Sequence, residues 1–172
     1  EGDGGQVVVW SDEATRYYGA ISARGAGEGK GGSVEVSGKQ HLAFAGNVDV
    51  SARSGRSGSL LLDPLNITLS TAAGANIAGF TPPGDLQELF TDDAGLASTF
   101  NVSANGSFAG IAPGSNITLQ ATNNITVANN FNVATATGGN TNINVTLQAN
   151  NTIAVNAVIT TAGSGSIALV AD

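Results

Sequence analysis

The sequence predicts an all-β fold: a parallel β-solenoid of about five to six coils, one domain over 1–172, with one irregular insertion carrying a short helix. Three observations predict it. Like residues recur at a near-constant spacing of 27 residues. Short runs alternate strictly between apolar and polar residues, the period of a half-buried strand. Gly, Asn and Ser-Gly turns separate these runs with no helical stretch between them, so βαβ units are ruled out, and parallel pairing must come from equivalent strands one turn apart.

The elements follow in order. "GGQVVVWSDEATRYYGAISA" from Gly4 aligns with "GGSVEVSGKQHLAFAGNVDV" from Gly31, which puts Val7 on Val34, Val9 on Val36, Tyr17 on Phe44, Gly19 on Gly46 and Ile21 on Val48. A third copy, "GSLLLDPLNITLS", brings Leu60 and Leu62 under the two valine columns at a spacing of 26. Glu35 sets the faces: an unpaired carboxylate is seldom buried, so Glu35 points out while Val34 and Val36 point in. Leu61 shares the outward column of Val8 and Glu35, Asp63-Pro64 reads as a corner, and "LNITLS" reads as the next face. These coils span 4–71.

The segment 72–113 breaks the rhythm. It holds Pro82-Pro83 and then "GDLQELF", which predicts a short helix capped by Asp85 with Leu86, Leu89 and Phe90 on one face. We expect an excursion from the solenoid, packed against a sheet near the outward Leu61 or covering an end. The coils resume over 114–172, where "NITLQATNNITV" and "NVTLQANNTIAV" align at 28 residues and "SIALVAD" begins another copy.

Composition narrows the function. With 41% apolar residues and a mean hydropathy of +0.11, the chain is ordered. Its net charge of -7 rests on only six basic residues, too few for a nucleic-acid footprint. Without cysteine it has no disulfide or thiolate chemistry. No apolar run approaches the roughly 20 residues of a membrane span, so no membrane insertion is expected. The opening Glu1-Gly2-Asp3-Gly4-Gly5 reads as the start of a mature or excised piece.

Catalytic groups do not converge in the repeat. Asp12, Asp49 and Asp63 lie in successive coils at different repeat positions, and Arg16, Arg24, Arg53 and Arg56 read as solvated charges. Asp92-Asp93, with Asp85 and Glu88, is the densest acidic patch and reads as a solvated helix end. His41 is the only histidine and has no second ligand. "GAGEGKGG" lacks the spacing and following helix of a phosphate loop and reads as a turn. Trp10 takes an outward or corner position and reads as a cover over a sheet edge or a contact with a neighbouring segment rather than as a carbohydrate platform. No catalytic, cofactor-binding or metal-ligating residue is expected.

Seven positions match the N-glycosylation acceptor pattern: Asn66, Asn101, Asn105, Asn116, Asn124, Asn144 and Asn150. An alternating strand with Asn out, Ile in and Thr out writes the same pattern, with stacked Asn and Thr ladders as its product. That second reading covers Asn66, Asn116, Asn124 and Asn144, while Asn101 and Asn105 fall in the excursion. The outward Thr columns are too irregular for an ice-ordering surface.

The series "VVVWSDEATRYYGAISARG", "GGSVEVSGK" and "SGSLLLDPLNITLS" resembles the filamentous-haemagglutinin-type exoproteins of bacterial two-partner secretion systems. The likeness is close over 4–70 and looser over 115–172. It implies a right-handed parallel β-helix, secreted to the cell surface of a Gram-negative-type or cyanobacterial bacterium. The implied role is a structural or adhesive segment in adhesion, aggregation, biofilm matrix or an extracellular filament, without catalysis. Expected partners are neighbouring coils of a longer chain or a second copy stacked end to end, host or matrix glycans and proteins, and covalent glycans. Because β-helices also include pectin-degrading lyases, the alternative is a polysaccharide-active enzyme.

Overall fold

The computed structural model describes residues 2–71 and 98–172, and over these the chain is a parallel β-solenoid of about five turns. The first coil holds β1 (Gln6–Ser11), β2 (Ala14–Tyr17) and β3 (Ala20–Ser22). The second holds β4 (Ser33–Gly38), β5 (His41–Phe44) and β6 (Asn47–Asp49), and the third β7 (Ser59–Pro64) and β8 (Ile67–Ser70). After β9 (Ser98–Asn101), the fourth coil holds β10 (Asn116–Ala121), β11 (Asn124–Val127), β12 (Phe131–Asn132) and the short α1 (Val133–Ala136). The fifth holds β13 (Asn144–Ala149), β14 (Thr152–Val155) and β15 (Ile159–Thr160), and β16 (Ile167–Ala171) opens a sixth.

The first face is one six-stranded parallel sheet in the order β1-β4-β7-β10-β13-β16. Its register is the one the repeat predicts: Val34 pairs with Val7 on one side and Leu60 on the other, and Val36 with Val9 and Leu62. Tyr17 meets Phe44, and Ile21 meets Val48. The two C-terminal copies pair residue for residue from Asn116 on Asn144 to Ala121 on Ala149. Slipping any rung by one residue would expose a whole apolar set, which is why alternation fixes the register so firmly. Val34, Val36, Leu60, Leu62, Leu119 and Leu147 are all fully buried. Each such side chain contributes about 1.5–3 kcal/mol of transfer free energy.

The segment expected as an excursion over 72–113 behaves differently in its described part. The helix expected from Asp85 to Phe90, and the acidic residues Glu88, Asp92 and Asp93, lie outside the described residues. From Ser98 the chain is built into the solenoid. β9 pairs with β8 on the side away from β11, so the second face runs β14-β11-β8-β9 and is separate from β2-β5. β9 thus takes the rung where β5 would have met β8. The ladder break leaves the Leu42 amide without a strand partner, and the buried Ser98 Oγ accepts it at 2.8 Å. Ile111 then pairs with Val48 and supplies the third face of the third coil. Phe108 packs between Phe100 and Phe131, with ring centroids 5.7 Å apart in each pair. These rings fill the interior beside the inserted rung.

Two local expectations change. Asp63-Pro64 is not a corner: β7 runs through Pro64, which pairs with Gly38, and the turn falls at Leu65 and Asn66. The described helix, α1, belongs to the fourth coil and gives no periodic signal because it is a single turn. It is capped by Asn132, whose side chain accepts from Thr135 N.

Candidate functional site

The inward residues make the solenoid core, so any contact with another molecule must use what faces out. Three outward columns run along the first sheet. One carries Gln6, Ser33, Ser59, Asn116 and Asn144, the next Val8, Glu35, Leu61, Thr118 and Thr146, and the third Trp10, Ser37 and Asp63, of which Ser37 is buried. Trp10 is 53% exposed, and Leu61 is half-buried between Glu35 and Thr118.

Beside the first column, where the third face turns into the first, lies a groove of about 560 Å³. Its floor is glycine backbone from successive coils, and its walls are Asp3, Gln6, Lys30, Ser33, Ser57 and Ser59, with Asn116 at one end. The corner cannot carry side chains. A Cβ on Gly31 would collide with the Val50 carbonyl oxygen, and one on Gly58 with that of Gly32. Close stacking of the coils therefore demands glycine, and the missing side chains leave the channel. In the sequence these glycines read only as turns; their recurrence before the first three first-face strands was the available signal.

The sequon asparagines divide by what their amides do. Asn116 Nδ2 donates to the carbonyls of Ser57 and Gly58, at 3.3 and 3.0 Å. Asn144 Nδ2 donates to Asn116 Oδ1 at 2.8 Å, and Ser166 Oγ donates to Asn144 Oδ1 at 2.8 Å. The nitrogen that would carry a sugar is thus engaged at both positions. Asn66 and Asn124 accept from Asn123 and Asn151, and Asn101 Oδ1 accepts from Ser103 N. Asn105 is exposed on a turn, but its sequon partner Ser107 is buried and accepts from Asn101 N. Asn150 is exposed at the corner after β13, with Thr152 also exposed, which makes it the best-presented acceptor of the seven.

The titratable groups are dispersed. Asp63 is half-buried, accepts from Gln120 Nε2 at 3.4 Å, and is held above the usual carboxylate range by burial and by the neighbouring Glu35. Burial also acts upward on Asp49, but two hydrogen bonds from Ser51 and the charge of Arg24 at 3.4 Å outweigh it and hold the carboxyl below its usual range. Tyr17, stacked on Phe44, is raised by burial. Asp12 follows β1, Asp49 ends β6 and Asp63 lies in β7, so the fold puts them on different faces or corners. His41 begins β5 beside Ala14, with its Nδ1 buried and unpartnered. "GAGEGKGG" forms the turn between the first two coils, with Gly27 at positive φ. Among the described residues no set of three His, Asp or Glu side chains is placed to hold a metal ion.

Comparison with protein-family models, with curated proteins and with solved structures finds no match to this chain. Physically, the site is a stiff polar surface with a groove along it, suited to many weak simultaneous contacts.

Proposed function

We propose that the chain is a structural and adhesive shaft segment of a large secreted bacterial exoprotein displayed at the cell surface. The observation that supports this reading best is the unbroken ladder β1-β4-β7-β10-β13-β16, with apolar columns inside and shallow polar columns outside. Stacked ladders give stiffness and reach, and repeated outward residues give a broad contact surface. β16 covers only the first face of the sixth coil. On the second face Val155 is therefore partly exposed, where its neighbour Val127 is fully buried. Further strands of the same pattern, from the same chain or another copy, would bury it.

The test is adhesion. Inert beads coated with the chain should bind cells or matrix polysaccharide, whereas beads carrying a scrambled-charge control should not. Beads that adhere to nothing overturn the reading, and cleavage of any member of a polysaccharide panel replaces it with the enzymatic one. Light scattering on concentrated protein tests end-to-end association, and a monodisperse monomer removes it.

A further inference from the structure

We infer that the corner groove is a binding subsite for an extended, uncharged polyhydroxylated chain, a neutral oligosaccharide; the inference rests on the adhesive reading and names its ligand class. Three features carry it. The first is concavity: the groove crosses the first three coils, so equivalent wall residues recur every ~4.8 Å along it. Consecutive rings of an extended sugar chain would meet Gln6, Ser33 and Ser59 in turn.

The second is free hydrogen-bonding capacity. Among the described residues the side chains of Ser33, Ser57, Ser59 and Gln6 have no hydrogen-bond partner, so both donors and acceptors face ligand hydroxyls. The glycine floor adds flat C–H surface against which the apolar face of a sugar ring can lie. The third is the occupied backbone. Gly4 N donates to Lys30 O, Gly32 N to Ala23 O, Ser33 N to Gly5 O and Ser59 N to Gly32 O, at 2.7 to 3.1 Å. A peptide cannot add to the groove as a strand because the ladder already uses these groups. Charge is balanced, with one Lys30 against one Asp3 whose Oδ1 already accepts from Lys30 N at 2.8 Å. A polyanion finds no basic cluster there.

The experiment is a ¹H–¹⁵N NMR titration of the full chain with cellohexaose and laminarihexaose, and with a heparin oligosaccharide as the anionic arm. The inference expects shifts centred on Gly31, Gly32, Ser33, Gly58 and Ser59 with the neutral probes and none with heparin. Replacing Ser33→Ala and Ser59→Ala together should weaken the affinity about tenfold, with an unchanged melting temperature and circular dichroism spectrum. Shifts confined to the Trp10 and Thr118 region, a response to heparin alone, no response to the neutral probes, or a double variant that binds as tightly as the parent each overturn it. The bead assay separates the two claims: beads that still adhere while the groove binds nothing retain the adhesive reading and discard the subsite. Beads that adhere to nothing discard both.

Discussion

The coils before residue 71 and those after residue 114 share one interior and differ in their exteriors. All six basic residues fall in the first region, together with most of the acidic ones, whereas from residue 94 onward the only charged residue is Asp172. The N-terminal coils enter their first face through Gly4-Gly5, Gly31-Gly32 and Gly58, and at Gly4, Gly31, Gly32 and Gly58 the Cβ position is filled by neighbouring backbone. The C-terminal coils instead stitch that corner with side chains: Asn144 to Asn116, Ser166 to Asn144, and Ser164 to Asn142. The lesson is that the solenoid requires only inward alternation and a compact corner. The corner can be made by removing side chains or by hydrogen-bonding them, and the groove lies where side chains are removed.

The largest test of this contrast is Gly58→Ala, which forces a methyl into the Gly32 carbonyl and should cost about 3 kcal/mol or more, or abolish folding, in urea denaturation. Gly5→Ala, whose Cβ meets nothing, should stay within about 0.5 kcal/mol. If both glycines tolerate alanine equally, the close-stacking explanation of the groove fails.

The shared interior makes a symmetric claim. Leu62→Ala in the third coil and Leu147→Ala in the fifth, both fully buried, should each lose about 2–5 kcal/mol. Val155→Ala, already 43% exposed at the end, should lose less than about 1 kcal/mol. A large loss at Val155 would mean that another surface covers this end in solution.

Asn142 tests the stitched corner. It is the only non-glycine residue at positive φ among the described residues, at 62°, and its Oδ1 accepts from Ser164 N at 2.7 Å. Asn142→Ala should lose about 1–2 kcal/mol, while Asn142→Gly keeps the backbone and should lose less. The reverse order in thermal melts would contradict this account.

The smallest effects are electrostatic and belong to the charged half. The Asp63 pKa is raised in the folded state, so its unfavourable contribution is absent below the ordinary value of 3.8 and grows as pH rises through the folded value. Asp63→Asn should therefore stabilise the fold by well under about 1 kcal/mol after solvent screening, seen as a slight rise in melting temperature at neutral pH, and leave it unchanged near pH ~2.5. Asp49 has the opposite sign. Its pKa is lowered, so its stabilisation is present above 3.8 and is lost as pH falls through the folded value. Asp49→Asn should lower the melting temperature at neutral pH only. Identical pH profiles for the two variants would refute the assigned environments.

The candidate site was legible only in part. The outward columns of Trp10, Glu35, Thr118 and Asn116 follow from alternation, so their faces could be read residue by residue. Whether an asparagine amide is free could not be read, because Asn66 and Asn150 carry the same local pattern while one accepts from Asn123 on the next coil and the other stands exposed. The groove was hidden for a similar reason: Gly31 and Gly58 look like turn residues until the neighbouring coil is laid against them.

By itself, the sequence determined the period, the alternation and therefore the register, since a strand with one buried face has only one pairing that keeps Val34, Leu60 and Ile117 inside. Those are local rules repeated, and local rules survive without coordinates. Only the tertiary structure decided that Ser98–Asn101 enters the second face beside β8, that Ile111 completes the third coil, and that Ser98 Oγ satisfies the Leu42 amide from 56 residues away. Such choices depend on which backbone groups and cavities the other coils leave unfilled, and no single stretch of sequence carries that information.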